Sequence, residues 1–186
     1  MKKFIFLLYY LIVLYAQESP VDQLLFFNYK AISIDGDTIS MNNYIGKKVL
    51  LVNVASQCGF TPQYAELQKL HEGYKDEISV LAFPSNDFLW QEPGSNSEIK
   101  AFCQREYGVT FQIFSKIKVK GKEKHPIYHW LSNDKINGWN SQSPTWNFCK
   151  YLINEKGELL KYFGSSVSPL DTQITNYLQP LSNVYK

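Results

Sequence analysis

Val49-Leu50-Leu51-Val52-Asn53-Val54-Ala55-Ser56-Gln57-Cys58-Gly59-Phe60-Thr61 opens as an almost unbroken apolar run and closes on small and polar residues around one cysteine. A run of Val and Leu without alternation reads as a strand buried on both faces. Thr61-Pro62 then offers a helix cap followed by proline at the first helical position. Leu67, Leu70 and Tyr74 recur beyond it at helical spacing. The reading is strand, tight turn, helix, with Cys58 in the turn. A helix N-terminus and free backbone N–H groups favour a thiolate, the reactive form of cysteine. Gly59 allows close backbone approach, so its N–H is expected to face the sulfur. The competing reading is a buried structural cysteine. A polar turn directly after a buried strand fits that reading poorly.

Working outward, strands and helices interleave. Leu24 to Met41 reads as a hairpin about Asp35-Gly36, and Met41 to Gly46 as a short helical turn. Ile78 to Phe83 is a second buried strand, ended by Pro84. Ser95 and Glu98 form a capping box for a helix that carries Ile99, Phe102 and Cys103 on one face and stops near Gly108. Val109 to Val119 is expected to be a strand, and His125-Pro126 to start a short helix. Lys135 to Pro144 reads as a polar loop. Thr145 to Ile153 and Glu158 to Phe163 read as a second hairpin, and Ser168-Pro169 as the start of a C-terminal helix. The order gives an α/β fold with a mixed sheet between helices.

Composition bounds the function. The chain has 186 residues, 45% of them hydrophobic and 16% aromatic, enough for one domain with a sizeable core. Residues 1–16 read as a secretory signal: Lys2-Lys3, an apolar run from Phe4 to Tyr15, and Ala16 before the cut. That run is shorter than the ~20 residues of a membrane-spanning helix, so no stable span is expected after cleavage. Residues 17–186 form the single domain, placed in the secretory pathway, either secreted or in the endoplasmic reticulum lumen. Without Lys2 and Lys3 the basic residues match the 17 acidic ones, which leaves no global field for nucleic acid. Alternating lysines from Lys116 to Lys124 read as the solvated side of a strand. Three cysteines in an exported chain leave at least one free thiol, which suits redox chemistry better than a disulfide scaffold. His125 and His129 share a helix face, but no further ligand cluster supports a metal, so no metal site is expected.

Asn53-Val-Ala-Ser-Gln-Cys-Gly-Phe-Thr61 resembles the active-site signature of the glutathione peroxidase family, with cysteine where some members carry selenocysteine. Phe83-Pro-Ser-Asn-Asp-Phe88 with Gln91-Glu-Pro-Gly94 resembles the second signature, and Trp146-Asn147-Phe148 the third. The resemblance runs from about Phe27 to Leu178. It implies a thioredoxin-like fold and a catalytic tetrad of Cys58, Gln91, Trp146 and Asn147. Two amides and an indole N–H are also what the chemistry asks for: neutral donors for a charge developing on a departing oxygen. Hydrogen peroxide and organic or lipid hydroperoxides are the implied substrates. Phe102 to Gly108 resembles the segment that holds the resolving cysteine in thioredoxin-dependent members, which implies a Cys58–Cys103 disulfide. Such a disulfide would be reduced by an external thiol: a thioredoxin-like protein, a disulfide isomerase or glutathione. No bound cofactor is expected. The alternatives are a core role for Cys103 and, for the whole protein, a peroxide sensor or oxidative-folding relay.

Cys149 would lie on the same side as Asn147 if the strand were regular, although a structural role suits it better. The chain departs from the second signature at Ser85, Asp87 and Leu89, where the family usually has Cys, Gln and Gly, and Trp90 adds bulk at the rim. A carboxylate at Asp87 would disfavour a thiolate if it faced the site. The short Lys135–Pro144 segment lacks the longer oligomerisation insert of tetrameric members, which implies a monomer.

Overall fold

A computed structural model of the chain describes residues 25–178. The signal expected at residues 1–16 therefore lies outside the described residues. A five-stranded sheet forms the centre, in the order β5-β4-β3-β6-β7. Its strands are β3 (Lys48–Val54), β4 (Ile78–Pro84), β5 (Gln112–Ile113), β6 (Lys150–Ile153) and β7 (Leu159–Phe163). A separate hairpin of β1 (Lys30–Ile32) and β2 (Thr38–Ser40) precedes them. β3 pairs parallel with β4 and antiparallel with β6, so the sheet is mixed.

β3 is central and buried along almost its whole length, as its unbroken apolar run requires. Its residues divide by parity. Leu50, Val52 and Val54 pack with Tyr64, Leu67 and Leu70 of α1 (Gln63–Gly73) and with Ile99 and Cys103 of α2 (Asn96–Tyr107). Val49 and Leu51 face the other layer, with Phe83, Phe114, Tyr128 and Trp130. Tyr128 and Trp130 come from α3 (Pro126–Leu131), which is followed by α4 (Asp134–Asn137). α5 (Thr172–Thr175) closes the first layer through Ile174.

α2 has the expected capping box. Ser95 Oγ accepts from the Glu98 N–H while Glu98 Oε2 accepts from the Ser95 N–H, and Gly108 ends the helix at φ +60°.

Several expected elements are displaced for local reasons. Thr61 does not cap α1, because its hydroxyl is committed to the Cys58 turn. The expected Val109–Val119 strand is reduced to Gln112–Ile113. Beyond it, Lys116 turns inward to the carbonyls of Glu92, Pro93 and Gly94 instead of continuing an alternation. The expected polar loop at 135–144 begins with α4 and is held by buried Asn140, which donates to the Leu131 carbonyl. The helix expected at Ser168 starts at Thr172, capped by Asp171.

Candidate active site

Cys58 sits in the turn after β3 and is only 8% exposed. Its turn is pinned from within. The Cys58 N–H donates to Thr61 Oγ1 at 3.0 Å, and that hydroxyl donates to the Ala55 carbonyl at 2.9 Å. The sulfur accepts the Phe60 N–H at 3.4 Å, so the donor is Phe60 rather than the expected Gly59.

Three stretches far apart in sequence meet at this turn. From the loop after β4, the Gln91 carbonyl accepts the Gln57 N–H at 3.0 Å. From the turn before β6, Asn147 Nδ2 donates to Gln91 Oε1 at 2.9 Å. Gln91 thus has its backbone on the residue next to Cys58 and its side-chain oxygen on Asn147, which leaves its NH2 to donate elsewhere. Asn147 is fully buried, and its Oδ1 has no hydrogen-bond partner among the described residues. Trp146 is half-buried and packs on Phe88 with ring centres 5.6 Å apart. The structure therefore joins Gln91 directly to Asn147 and to the Cys58 turn, and places Trp146 beside them.

Trp146 to Phe148 is a turn, not the start of a strand. Phe148 adopts φ +64°, the left-handed region that a residue with Cβ enters at a cost. Two groups clamp it. Asn53 in β3 donates from Nδ2 to the Trp146 carbonyl at 2.9 Å, and its own carbonyl accepts the Phe148 N–H at 2.5 Å. Lys150, fully buried, donates from Nζ to the carbonyls of Phe148 (2.9 Å) and Val167 (2.6 Å). Burial pulls its ammonium down from 10.5 to about 8. Because of this turn, the strand-based placement of Cys149 beside Asn147 does not hold. Cys149 is buried against Thr145, Ser165 and Tyr162, with the Tyr162 hydroxyl donating to its sulfur at 3.2 Å. Burial pushes that thiol up, but hydrogen bonds from Ser165 and Tyr162 outweigh it and leave it below its ordinary value.

Cys103 is fully buried on α2, in the same apolar cluster as Cys58. Burial is the main reason its thiol is pushed up to about 11. A cleft of about 390 Å³ separates the Cys58 turn from α2, lined by Ser56, Gln57, Glu92, Ile99 and Phe102 among others. Glu92, fully buried, accepts from Ser56 Oγ at 2.6 Å through one oxygen; the other has no partner among the described residues. Burial raises this carboxyl above its ordinary value. Asp87 is accounted for: its Oδ2 accepts the N–H groups of Val119 (2.6 Å) and Lys120 (3.1 Å), which commits the carboxylate to the backbone of that segment. Ser85 is fully buried at the end of β4, where its hydroxyl accepts the Asp87 N–H. His125 accepts the Ile127 N–H as the cap of α3, and His129 lies against Asn133.

Sequence reasoning passed over Asn53, Glu92 and Lys150. For Lys150 the signal was present: a lone charge between Cys149 and Tyr151-Leu152-Ile153, in a strand the apolar pattern marks as buried. Such a charge has to find partners inside.

A model of the glutathione peroxidase family matches residues 26–132. Among curated relatives, a glutathione peroxidase of Lactococcus lactis is 47% identical over 145 residues, covering 77% of this chain and 92% of the relative. A hydroperoxy fatty acid reductase of Synechocystis is 40% identical over 151 residues, covering 77% and 88%. The solved structure of a T. cruzi protein, GPX1, superposes with a TM-score of 0.67 at 26% identity, covering 86% of this chain and 97% of that one. A thioredoxin-family thiol:disulfide interchange protein from Chlorobium tepidum shares the fold at 12% identity, with a TM-score of 0.58 over 81% of this chain and 92% of its own. The fold is thioredoxin-like.

Proposed function

This chain belongs to the glutathione peroxidase family and is a peroxidase, an oxidoreductase, and we propose that Cys58 is the thiol with which it reduces hydroperoxides. The thiolate attacks one peroxide oxygen and the O–O bond breaks. Cys58 becomes a sulfenic acid, and the other oxygen leaves as alkoxide or hydroxide and takes up a proton. Gln91, Asn147 and Trp146 supply the neutral donors for the charge that develops on that oxygen. The observation that carries this reading is the Asn147–Gln91 bond together with the Gln91–Gln57 bond, which bring two amide side chains to the turn that holds Cys58.

In the second step the Cys103 thiol condenses with the Cys58 sulfenic acid, forming a disulfide and releasing water. An external dithiol then reduces the disulfide. While Cys103 is packed, its thiol is too weakly acidic to attack, so α2 opens first. The helix suits such opening: Ile99 and Cys103 are its only fully buried residues. Lipid hydroperoxides join hydrogen peroxide as substrates in this reading, supported by the relative named for reducing hydroperoxy fatty acids. Export through the secretory pathway rests on Lys2-Lys3 and the apolar run that follows, and a monomeric state on the short 135–144 segment.

The test is peptide mass spectrometry of the reduced protein after one equivalent of hydrogen peroxide. A Cys58–Cys103 disulfide is expected. Sulfenic acid or a glutathione adduct on Cys58 with Cys103 still a thiol removes the second step, and an unreacted Cys58 removes the proposal.

A further inference from the structure

Glu92 is a carboxylate that the fold hides and leaves half unused. Its side chain is fully buried; one oxygen accepts from Ser56 Oγ at 2.6 Å, and Oε2 has no hydrogen-bond partner among the described residues. It makes no ion pair among them either. Lys116, the nearby ammonium, donates instead to the backbone carbonyls of Glu92, Pro93 and Gly94. A buried carboxylate oxygen without a partner is costly. The bond to Ser56 does not explain that cost, because a neutral amide would accept it as well.

Its place in the fold is between the two sulfurs of the proposed cycle. Glu92 lines the cleft of about 390 Å³ together with Ser56 and Gln57, which lead into Cys58, and with Ile99 and Phe102 of α2, which lie one turn before and directly before Cys103. Charged and titratable groups face the carboxyl from several elements. From α1 and α2, Tyr64 and Cys103 are close enough for its negative charge to raise both of them. Lys116 faces it from the segment after β5 and lowers it slightly against burial. Glu98, at the rim of the cleft, has its carboxylate held by the N–H and hydroxyl of Ser95. Glu92 is thus the uncommitted carboxylate on the path that Cys103 takes toward Cys58. That path needs a base, because a thiol attacks only as thiolate and burial makes the Cys103 thiol a weak acid.

We propose that Glu92 carries the proton in the disulfide-forming step: as α2 opens, its free oxygen takes the Cys103 thiol proton and then delivers it to the hydroxide leaving Cys58. The S–H bond of Cys103 and the S–O bond of the Cys58 sulfenic acid break, and the S–S bond forms. The Cys103 sulfur is oxidised, the Cys58 sulfur is reduced, water departs and Glu92 returns as carboxylate. This inference rests on the two-thiol reading of Cys58 and Cys103 and assigns the acid–base residue of its second step. Burial raises the carboxyl, which brings it closer to the thiol that it deprotonates.

The experiment mixes the reduced full chain, or its Glu92→Gln variant, with one equivalent of hydrogen peroxide and no reductant between pH 6 and 9. Samples quenched in acid are read by peptide mass spectrometry for Cys58 sulfenic acid and for the Cys58–Cys103 disulfide. In the wild type the rate of sulfenic acid conversion to disulfide should be flat from pH 6 to 8. In Glu92→Gln it should be about a hundredfold slower at pH 7, the lower range for a lost general base. It should then climb tenfold per pH unit and meet the wild type near pH 9, as hydroxide replaces the carboxylate. Glutamine keeps the acceptor for Ser56, so sulfenic acid should form within twofold of the wild-type rate. Conversion within twofold of wild type at pH 7, or a wild-type rate that itself climbs tenfold per pH unit, overturns the proposal. So does an equal slowing of both steps, which would mean that Glu92 only holds the Cys58 turn. A wild type that forms sulfenic acid but no disulfide overturns the two-thiol reading, and this inference with it.

Discussion

Lys150→Met separates stability from catalysis in a way that the buried lysine makes calculable. Lys150 is fully buried, and holding its charge there depresses the ammonium from 10.5 to about 8. That displacement corresponds to roughly 3 kcal/mol of cost at neutral pH. Against it stand two charge-assisted hydrogen bonds, to the carbonyls of Phe148 and Val167, worth about 1.5–3 kcal/mol each. Methionine has similar length and no charge, so it removes the cost and the bonds together. The terms nearly cancel, and net destabilisation should stay within about 2 kcal/mol.

The turn before β6 has no such compensation. Phe148 at φ +64° carries a left-handed penalty of about 1–2 kcal/mol, and Lys150 is one of the two groups that hold it there. Losing about 1.5 kcal/mol of tether shifts the turn roughly tenfold toward conformations in which Asn147 no longer reaches Gln91. The expected result is a folded protein whose rate of reaction with hydrogen peroxide falls about tenfold, while its melting temperature drops by less than about 8 °C. Asn53→Ala, which removes the side-chain half of the other clamp and keeps the backbone bond to Phe148, should act in the same direction. The rate is read by stopped-flow tryptophan fluorescence and stability by urea titration. A Lys150→Met protein that reacts within twofold of wild type would show that Lys150 does not set the turn, and the clamp argument would fail.

Cys103→Ala should change the alkaline limb of stability. The folded thiol titrates at about 11 rather than 9, so the native state keeps a proton that the unfolded chain has lost. This contribution is fully present below pH 9 and is lost as pH rises toward 11, roughly 3 kcal/mol in all. The variant should therefore gain on wild type across that window in urea midpoints; parallel profiles would contradict the buried-thiol reading. Lys150 works in the opposite sense, because its depressed value makes stability rise between about pH 8 and 10.5, and Lys150→Met should abolish that rise. Glu92→Gln should be more stable than wild type at pH 7.5 but not at pH 4, since burial raises the carboxyl and its ionisation opposes folding as pH increases. Equal differences at both pH values would show that the carboxylate finds a partner in solution. Leu89→Gly should stabilise by about 0.5–1 kcal/mol through relief of the positive φ, net of the entropy glycine adds to the unfolded chain. A lower midpoint would mean that the Leu89 side chain packs in the folded protein.

How far the sequence could be read depends on the range of the interaction that shapes each part. β3, α1 and the capping box of α2 are local: an apolar run, a helical period and a Ser95–Glu98 reciprocal bond declare themselves within a few residues. The turn at Trp146–Phe148 does not, because nothing in its residue types asks for a left-handed phenylalanine. That conformation is imposed by Asn53, 93 positions before Trp146, and by a lysine whose partners include the Val167 carbonyl. A strand is the natural reading of Thr145 to Ile153, and it sends Cys149 to the wrong side for this reason alone. Asn147 and Gln91 meet across 56 positions, so residue types mark them as donors while only their resemblance to a known signature brings them together. Leu89-Trp90 is the opposite case. Its turn is local and its residue types are wrong for it, so the misfit itself is legible, and a function outside the fold is the physical reason to look for. The places where local preference loses in this chain are Phe148, Leu89 and Trp90, the three residues with side chains at positive φ among those described. All three adjoin the amides proposed to act on the peroxide: Phe148 follows Asn147, and Leu89-Trp90 leads into Gln91. Strain in this fold is therefore spent where donors must be aimed, and variants that relax it should trade activity for stability at those positions before any others.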